Sequence, residues 1–267
     1  MDRLREANEA LWDAWAAAHY VSEFYDVEGF KSGRNSLRPI ELGLLGDVTG
    51  KSLLHLQCHF GMDTLCWARL GATVTGVDFS SKAIALARLL AKEVGLEAKF
   101  VRSAIGDLPD NLCGEFDVVF TSYGVLPWLS DLRRWGMIVA HFLKAGGTFL
   151  LVDSHPTLCM FANGGETTDW KLSYPYFEGS GPMTDLYEGS YAAPTERPME
   201  AVEWAHSMSE IVNSLIGAGL TLRKLVEYPY CFYKCSPLVV ERDDGNWWPI
   251  DPNVRLPLTM AIVATKG

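Results

Sequence analysis

The chain has 267 residues, 48% of them hydrophobic and 21% charged, with 33 acidic against 23 basic side chains for a net charge of −10. That length can bury a sizeable core, and the acidic balance without a Lys/Arg run disfavours nucleic acid as a partner. No apolar stretch approaches the ~20 residues of a membrane span, and six scattered cysteines without a CxxC pair suit reduced thiols in a cytoplasmic protein.

The first twenty residues, MDRLREANEALWDAWAAAHY, place apolar residues at helical spacing among charges of both signs. They predict a helix of the fold rather than a secretory leader. From residue 51 short β-branched or apolar runs alternate with helical patterns. Strands are expected at 52–57, 72–79, 98–103, 116–122 and 148–154, with helices at 62–71, 80–95 and 129–147 between them. A serine opens the second of these helices and glycines close the third. The runs lack polar alternation, as strands buried on both faces do. Residues 155–205 change texture, being rich in Gly, Pro and aromatics, and are expected to form an insertion into one domain. A helix at 207–220, a strand at 221–230 and a last strand at 256–266 complete the order. Strand–helix–strand repetition of this kind predicts an α/β fold, a Rossmann-like, mostly parallel seven-stranded sheet with helices on both faces. The last strand is expected to be antiparallel.

Ligands of such sheets sit beyond the carboxyl ends of the strands, so the first strand–turn–helix, SLLHLQCHFGMDT at 52–64, is the place to look. A dinucleotide fingerprint would need glycine at 57, 59 and 62, where the chain has Gln57, His59 and Met62. The alternative spacing G-x-G-x-G falls on Gln57, His59 and Gly61. Asp78 ends the second strand about 20 residues on, where a carboxylate pairs with ribose hydroxyls; it could instead cap the following helix. His55, Cys58 and His59 raise the question of a metal. Zinc wants four ligands, the other histidines stand apart, and on a strand His55 and Cys58 face opposite ways. The cluster therefore reads as a modified cofactor turn without metal, with Gln57 and His59 offering side-chain bonds and His55 open to a plain core role. Cys231 and Cys235 are read as incidental.

With its turn, Asp78, the segments FDVVFTSYGVLPWLSDL and LKAGGTFLLVD and the final LPLTMAIVATK, the chain resembles class I S-adenosylmethionine-dependent methyltransferases. It is similar to a bacterial subgroup whose glycine motif becomes HLQC-x-x-G. The resemblance implies S-adenosyl-L-methionine as cofactor and S-adenosyl-L-homocysteine as product. It implies that residues 55–61, including Cys58 and Gly61, approach the methionine part, that Asp78 holds the ribose and that Phe79 lies by the adenine. Ala104 stands where an acid commonly contacts the adenine, and Ile105 beside it can pack on the ring; Ser122 ends the fourth strand at the same edge. By analogy residues 1–50 form a helical lid whose Tyr20 or Tyr25 contacts the cofactor, although an aromatic face packed on the domain would look the same. The core is then 51–154, the cap 155–205 and the rest of the sheet 206–267. Tyr123 is expected at the cofactor–acceptor junction, and His155 and His206 are the candidate bases, each with a structural alternative in ordering a turn or capping a helix. The function expected is methyl transfer to oxygen or nitrogen of a small molecule, plausibly in specialised metabolism, by a monomer or homodimer. Transfer to carbon or to a protein or peptide, and cofactor binding without catalysis, are the alternatives.

Overall fold

A computed structural model describes residues 2–161, 168–177 and 181–267. Ahead of the sheet lie α1 (Asp2–Tyr20), α2 (Val27–Lys31) and α3 (Pro39–Leu45). Then follow β1 (Ser52–Leu56), α4 (Met62–Arg69), β2 (Thr73–Asp78), α5 (Ser81–Glu93), β3 (Lys99–Arg102), α6 (Leu108–Asn111) and β4 (Phe116–Ser122). After α7 (Leu132–Phe142) and β5 (Leu143–Ser154) come the hairpin β6 (Met183–Gly189) and β7 (Pro194–Glu203), then α8 (Met208–Gly217) and β8 (Leu220–Tyr228). The short pair β9 (Val239–Glu241) and β10 (Trp247–Pro249) precedes β11 (Thr259–Lys266).

The main sheet has seven strands in the order β3-β2-β1-β4-β5-β11-β8. β1 runs parallel to β2 and β4, while β11 lies antiparallel between β5 and β8. Consecutive residues of a strand face opposite sides, and the core divides accordingly. Leu53, Phe120, Leu150 and Val152 join Trp67, Ile84 and Phe30 on one side. Leu54, Leu56, Val119, Phe149 and Leu151 join Trp135, Phe142 and Leu215 on the other. Each such side chain, fully removed from water, is worth about 1.5–3 kcal/mol. Helix starts are fixed locally: the hydroxyls of Ser80 and Ser207 accept from the backbone N–H of Ala83 and Glu210, and the Asp131 carboxylate from that of Arg134.

One expected bound needs correction. The helix expected over 129–147 ends at Phe142, because Gly146 adopts φ 75° and the chain from Leu143 onward already belongs to β5. The segment 155–205, for which no strand is expected, contains the antiparallel hairpin β6–β7, and its residues 162–167 and 178–180 lie outside the described ones.

α7 crosses α8 at Gly136, where an added Cβ would run into the backbone carbonyl of Ser214. Backbone cannot swing aside as a side-chain tip can. Gly136→Ala is therefore expected to destabilise by about 3 kcal/mol, lowering Tm by roughly 5–10 °C. An unchanged melting curve would contradict this close crossing.

Candidate functional site

The chain turns one way from β1 through β2 to β3 and the other way from β4 onward, so the strand order reverses between β1 and β4. The crevice beyond their carboxyl ends is the place where open α/β sheets bind ligands. Four non-glycine residues have positive φ among those described, Asp26, Gln57, His59 and Tyr123, and the last three sit at this crevice. Gln57 (φ 55°), His59 (φ 52°) and Gly61 (φ 78°) alternate through the turn after β1. These are the three positions of the G-x-G-x-G spacing. The glycine conformation is kept although two side chains must be carried at a cost of about 1–2 kcal/mol each.

Bonds from the neighbouring strands hold that conformation. The N–H of Cys58 donates to the Val77 carbonyl (2.9 Å) and that of Gly61 to the Cys58 carbonyl (2.9 Å). Asp78, at the end of β2, accepts from the N–H of His59 with one oxygen and from that of Ser80 with the other, both at 2.9 Å. Burial, only partly offset by these bonds, raises its pKa to about 6. A carboxylate has about four acceptor directions, so Asp78 retains capacity for a ligand. Opposite, after β4, the Asp153 carboxylate accepts from the backbone of Gly124, Val125 and Leu126 and shapes the second wall.

α1 lies over the turn. Asp13 accepts from the hydroxyls of Ser80 and Ser81 and from the Lys82 N–H, tying the helix to the start of α5. Trp12 packs edge-on against His59 (5.4 Å) and Trp128 (5.2 Å). His59 Nε2 lies 3.0 Å from His19 Nδ1, and His19 Nε2 lies 2.7 Å from the hydroxyl of Ser190 in the β6–β7 connection. Ser190 in turn donates to the Ala193 carbonyl (3.0 Å). Ser190 also accepts from the backbone N–H groups of Ala192 and Ala193, and the chain of bonds can run in either direction according to the tautomers of the two imidazoles. In both directions His59 Nδ1 is left without a partner. Burial keeps both imidazoles neutral, lowering His19 to about 4 and holding His59 well below its ordinary value.

The orphaned buried polar atoms gather here. Gln57 Oε1, His59 Nδ1, Trp12 Nε1 and Trp15 Nε1 are four of the seven such atoms among the described residues. Native interiors seldom leave such atoms unpaired without a missing partner. The Gln57 amide nitrogen already donates to the Val125 carbonyl (3.0 Å), which fixes the direction of its free oxygen.

The remaining expected residues fall as follows. His55 bonds Thr64 Oγ1 (2.8 Å) and lies 3.3 Å from the Ser122 hydroxyl, a buried histidine with partners at both ring nitrogens. Cys58 lies on the same side of the sheet as His55, in the core cluster with Phe100 and Phe120, so the expectation that the two face opposite ways is corrected: the positive φ at Gln57 redirects the chain between them. Phe79 is half-buried after β2, its carbonyl accepting from Arg102; Ala104 and buried Ile105 follow β3. Tyr25 roofs the turn, its ring 5.6 Å from that of His59 and its hydroxyl 2.5 Å from that of Tyr191. Tyr20 lies further out, its ring against Phe60 and its hydroxyl donating to Glu93. Tyr123 stands at the crevice and donates to Glu41 Oε2 (2.7 Å). His155 accepts from the Thr157 N–H (3.0 Å) and its Nε2 is 2.9 Å from Glu227. His206 is bonded to the Leu129 carbonyl (2.8 Å) and to Glu210 (3.1 Å). The bonds of neither histidine reach Tyr123; His155 Nε2, though close to Glu227, is another of the seven atoms without a hydrogen-bond partner, and His206 ties the start of α8 to Leu129.

Glu41, Asp63 and Asp153 escaped the sequence reading. Asp153 carried a signal, an acid closing a buried apolar strand. Glu41 lies in a seven-residue helix with no periodicity to betray a buried carboxylate.

Residues 53–147 match the model of a methyltransferase domain family. A ubiquinone biosynthesis O-methyltransferase of Cronobacter sakazakii is 32% identical over 131 residues, 48% of this chain and 54% of that protein. The match thus spans about half the length of such curated relatives. Among solved structures, an S-adenosylmethionine-dependent methyltransferase from Mesorhizobium loti aligns with 88% of this chain and 100% of its own, at 20% identity and a TM-score of 0.59. One described as a putative S-adenosylmethionine-dependent methyltransferase, from Listeria monocytogenes, aligns with 85% and 97% respectively, at 19% identity and the same score.

Proposed function

We propose, from the premise that this chain carries a methyltransferase domain on the Rossmann-like methyltransferase fold, that it transfers the methyl group of S-adenosylmethionine to oxygen or nitrogen of a small molecule. The observation that carries the reading is the turn itself. Its three left-handed residues alternate beside the buried Asp78, with Gln57 Oε1 and His59 Nδ1 left without partners.

The residues present fit the cofactor. Asp78 would accept from the ribose hydroxyls, charge-assisted bonds that a neutral side chain could not match. Gln57 offers an acceptor, His59 an unpartnered ring nitrogen that donates or accepts with its tautomer, and Trp12 and Trp15 two donors, to a ligand carrying both ammonium and carboxylate groups. Phe79 and Ile105 would flank the adenine. When bound, the cofactor supplies an already activated methyl group on a sulfonium. The protein's work is then alignment and exclusion of water, tasks suited to α1 with its tryptophans and to the roof of Tyr25 and Tyr191.

A small acceptor is supported by this aromatic enclosure and by the absence of a basic stripe in an acidic chain. The O-methyltransferase relatives favour oxygen. Calorimetric titration with S-adenosylmethionine and S-adenosylhomocysteine, with NAD as control, tests the cofactor. Micromolar binding of the sulfur nucleotides alone, about −8 kcal/mol, is expected. No binding by protein shown to be free of copurified nucleotide would overturn the reading.

A further inference from the structure

We propose that Tyr123 and Glu41 form a proton relay for the methyl acceptor, the Tyr123 hydroxyl taking the acceptor's proton as it hands its own to the Glu41 carboxylate. The proposal rests on the functional reading above.

Tyr123 is built into the crevice at a cost. A bulky aromatic residue held at φ 56° is a strained arrangement, fixed here by its N–H on the Val152 carbonyl (2.7 Å) and by Phe232, whose ring lies 4.3 Å from its own. Because the phenol donates to Glu41, its oxygen lone pairs are left to accept. It can therefore receive a bond from an acceptor's O–H or N–H and aim the nucleophilic lone pair.

Glu41 is fully buried. Its second oxygen accepts from the Arg38 N–H (2.7 Å), and no cation forms an ion pair with it among the described residues. The groups that face it are Asp63 on α4, Tyr123 after β4, Arg38 before α3 and Tyr228 at the end of β8. Asp63 is held by the hydroxyls of Ser36 and Ser122, and the Arg38 guanidinium donates to the Phe232 carbonyl. Burial first, and the Asp63 charge second, raise the Glu41 carboxyl to about 7, against the bonds from Arg38 and Tyr123 that favour its charged form. A base with that affinity is matched to neutral pH.

The step balances. The acceptor's O–H or N–H bond breaks and its proton goes to Tyr123 Oη, while the phenolic proton passes to Glu41. The freed electron pair of the acceptor forms the bond to the methyl carbon, and the pair of the broken carbon–sulfur bond stays on sulfur. After product leaves, Glu41 hands its proton back to Tyr123 Oη as the phenol releases its own to solvent, which restores the starting state.

Glu41→Gln and Tyr123→Phe in the full chain test this. In Glu41→Gln the amide oxygen still accepts from Arg38 and the amide nitrogen donates to Tyr123, so packing is kept while the proton sink is lost. Phenol and thiophenol serve as probe acceptors at pH 8, where the thiol is already ionised and needs no base. The variant is expected to lose at least 100-fold in phenol methylation and less than about threefold with thiophenol, with unchanged S-adenosylhomocysteine affinity. In wild type the phenol reaction should fall off below pH 7, and this limb should vanish in the variant. A carbon-13 carboxyl resonance missing from Glu41→Gln should titrate near 7 in wild type and move upward in Tyr123→Phe. Equal losses with both probes, or a tenfold weaker S-adenosylhomocysteine affinity, would place the carboxylate in a structural or cofactor role and overturn the relay. If wild type binds the cofactor but takes neither probe, the titration decides, and an ordinary carboxylate midpoint overturns it. A wild type that binds no cofactor defeats the functional reading instead.

Discussion

Asp78→Ala is expected to weaken S-adenosylhomocysteine binding at least a hundredfold and to destabilise the fold by about 2–4 kcal/mol. Both effects have the same origin. The carboxylate accepts from the N–H groups of His59 and Ser80, and its removal strips two buried donors while releasing the strained backbone of His59. Loss of affinity in the alanine variant alone would therefore be ambiguous. Asp78→Asn separates the two: its oxygen still serves one of the backbone donors, so the stability cost should be smaller, while an amide nitrogen cannot accept from a ribose hydroxyl. The loss of affinity should persist. Calorimetry and urea unfolding on both variants read the two quantities, and an asparagine variant that binds like wild type would remove Asp78 from the ribose. The carboxyl is raised to about 6, so wild-type affinity should also decline as pH falls through 6 and this group takes up its proton.

The stability cost of His19→Asn is expected to shrink by about 2–3 kcal/mol between pH 7 and pH 4. Burial depresses the folded-state pKa of His19 from 6.5 to about 4. A histidine so depressed contributes stability that is fully present above 6.5 and is lost as pH falls towards 4, because only the unfolded chain takes the proton readily. Asparagine has no such proton to take. At pH 7 the variant should suffer from losing the bonds to His59 and Ser190; at pH 4 the wild type should have surrendered most of its advantage. Urea titrations at the two pH values measure the difference. A cost that does not change with pH would mean that His19 is already solvated in the folded protein. Glu41 and Asp78, raised to about 7 and about 6, push the total stability the opposite way on acidification, which is why the comparison of variant with wild type is the informative one.

The sheet was legible because its strands are nearly unbroken apolar runs, and the turn at 55–61 could be found from Asp78 even though Gln57 and His59 hide the glycine spacing. What the sequence could not show was that these two residues would take up the backbone angles of glycine. That outcome depends on Val77 and Asp78 bonding the turn from the next strand. Glu41 and Asp63 were illegible for a related reason: their environment is assembled from α3, α4 and the ends of β4 and β8, four segments far apart in the chain. The hairpin at 183–203 was missed because only a few of its side chains are buried, so its alternation is weak and Pro194 and Pro198 blur it.

Asn8 in α1 has a consequence beyond the site. Its amide donates to the Val202 carbonyl (2.7 Å) and accepts from the Val202 N–H (2.8 Å), giving β7 the two bonds that a neighbouring strand would otherwise make. A side chain thus pairs the backbone of one residue on the open edge of the hairpin, the kind of edge that templates pairing with another molecule. The helix packed over the 57–61 turn also satisfies backbone of the hairpin. Displacing α1 would strip the Val202 backbone groups of both partners at once.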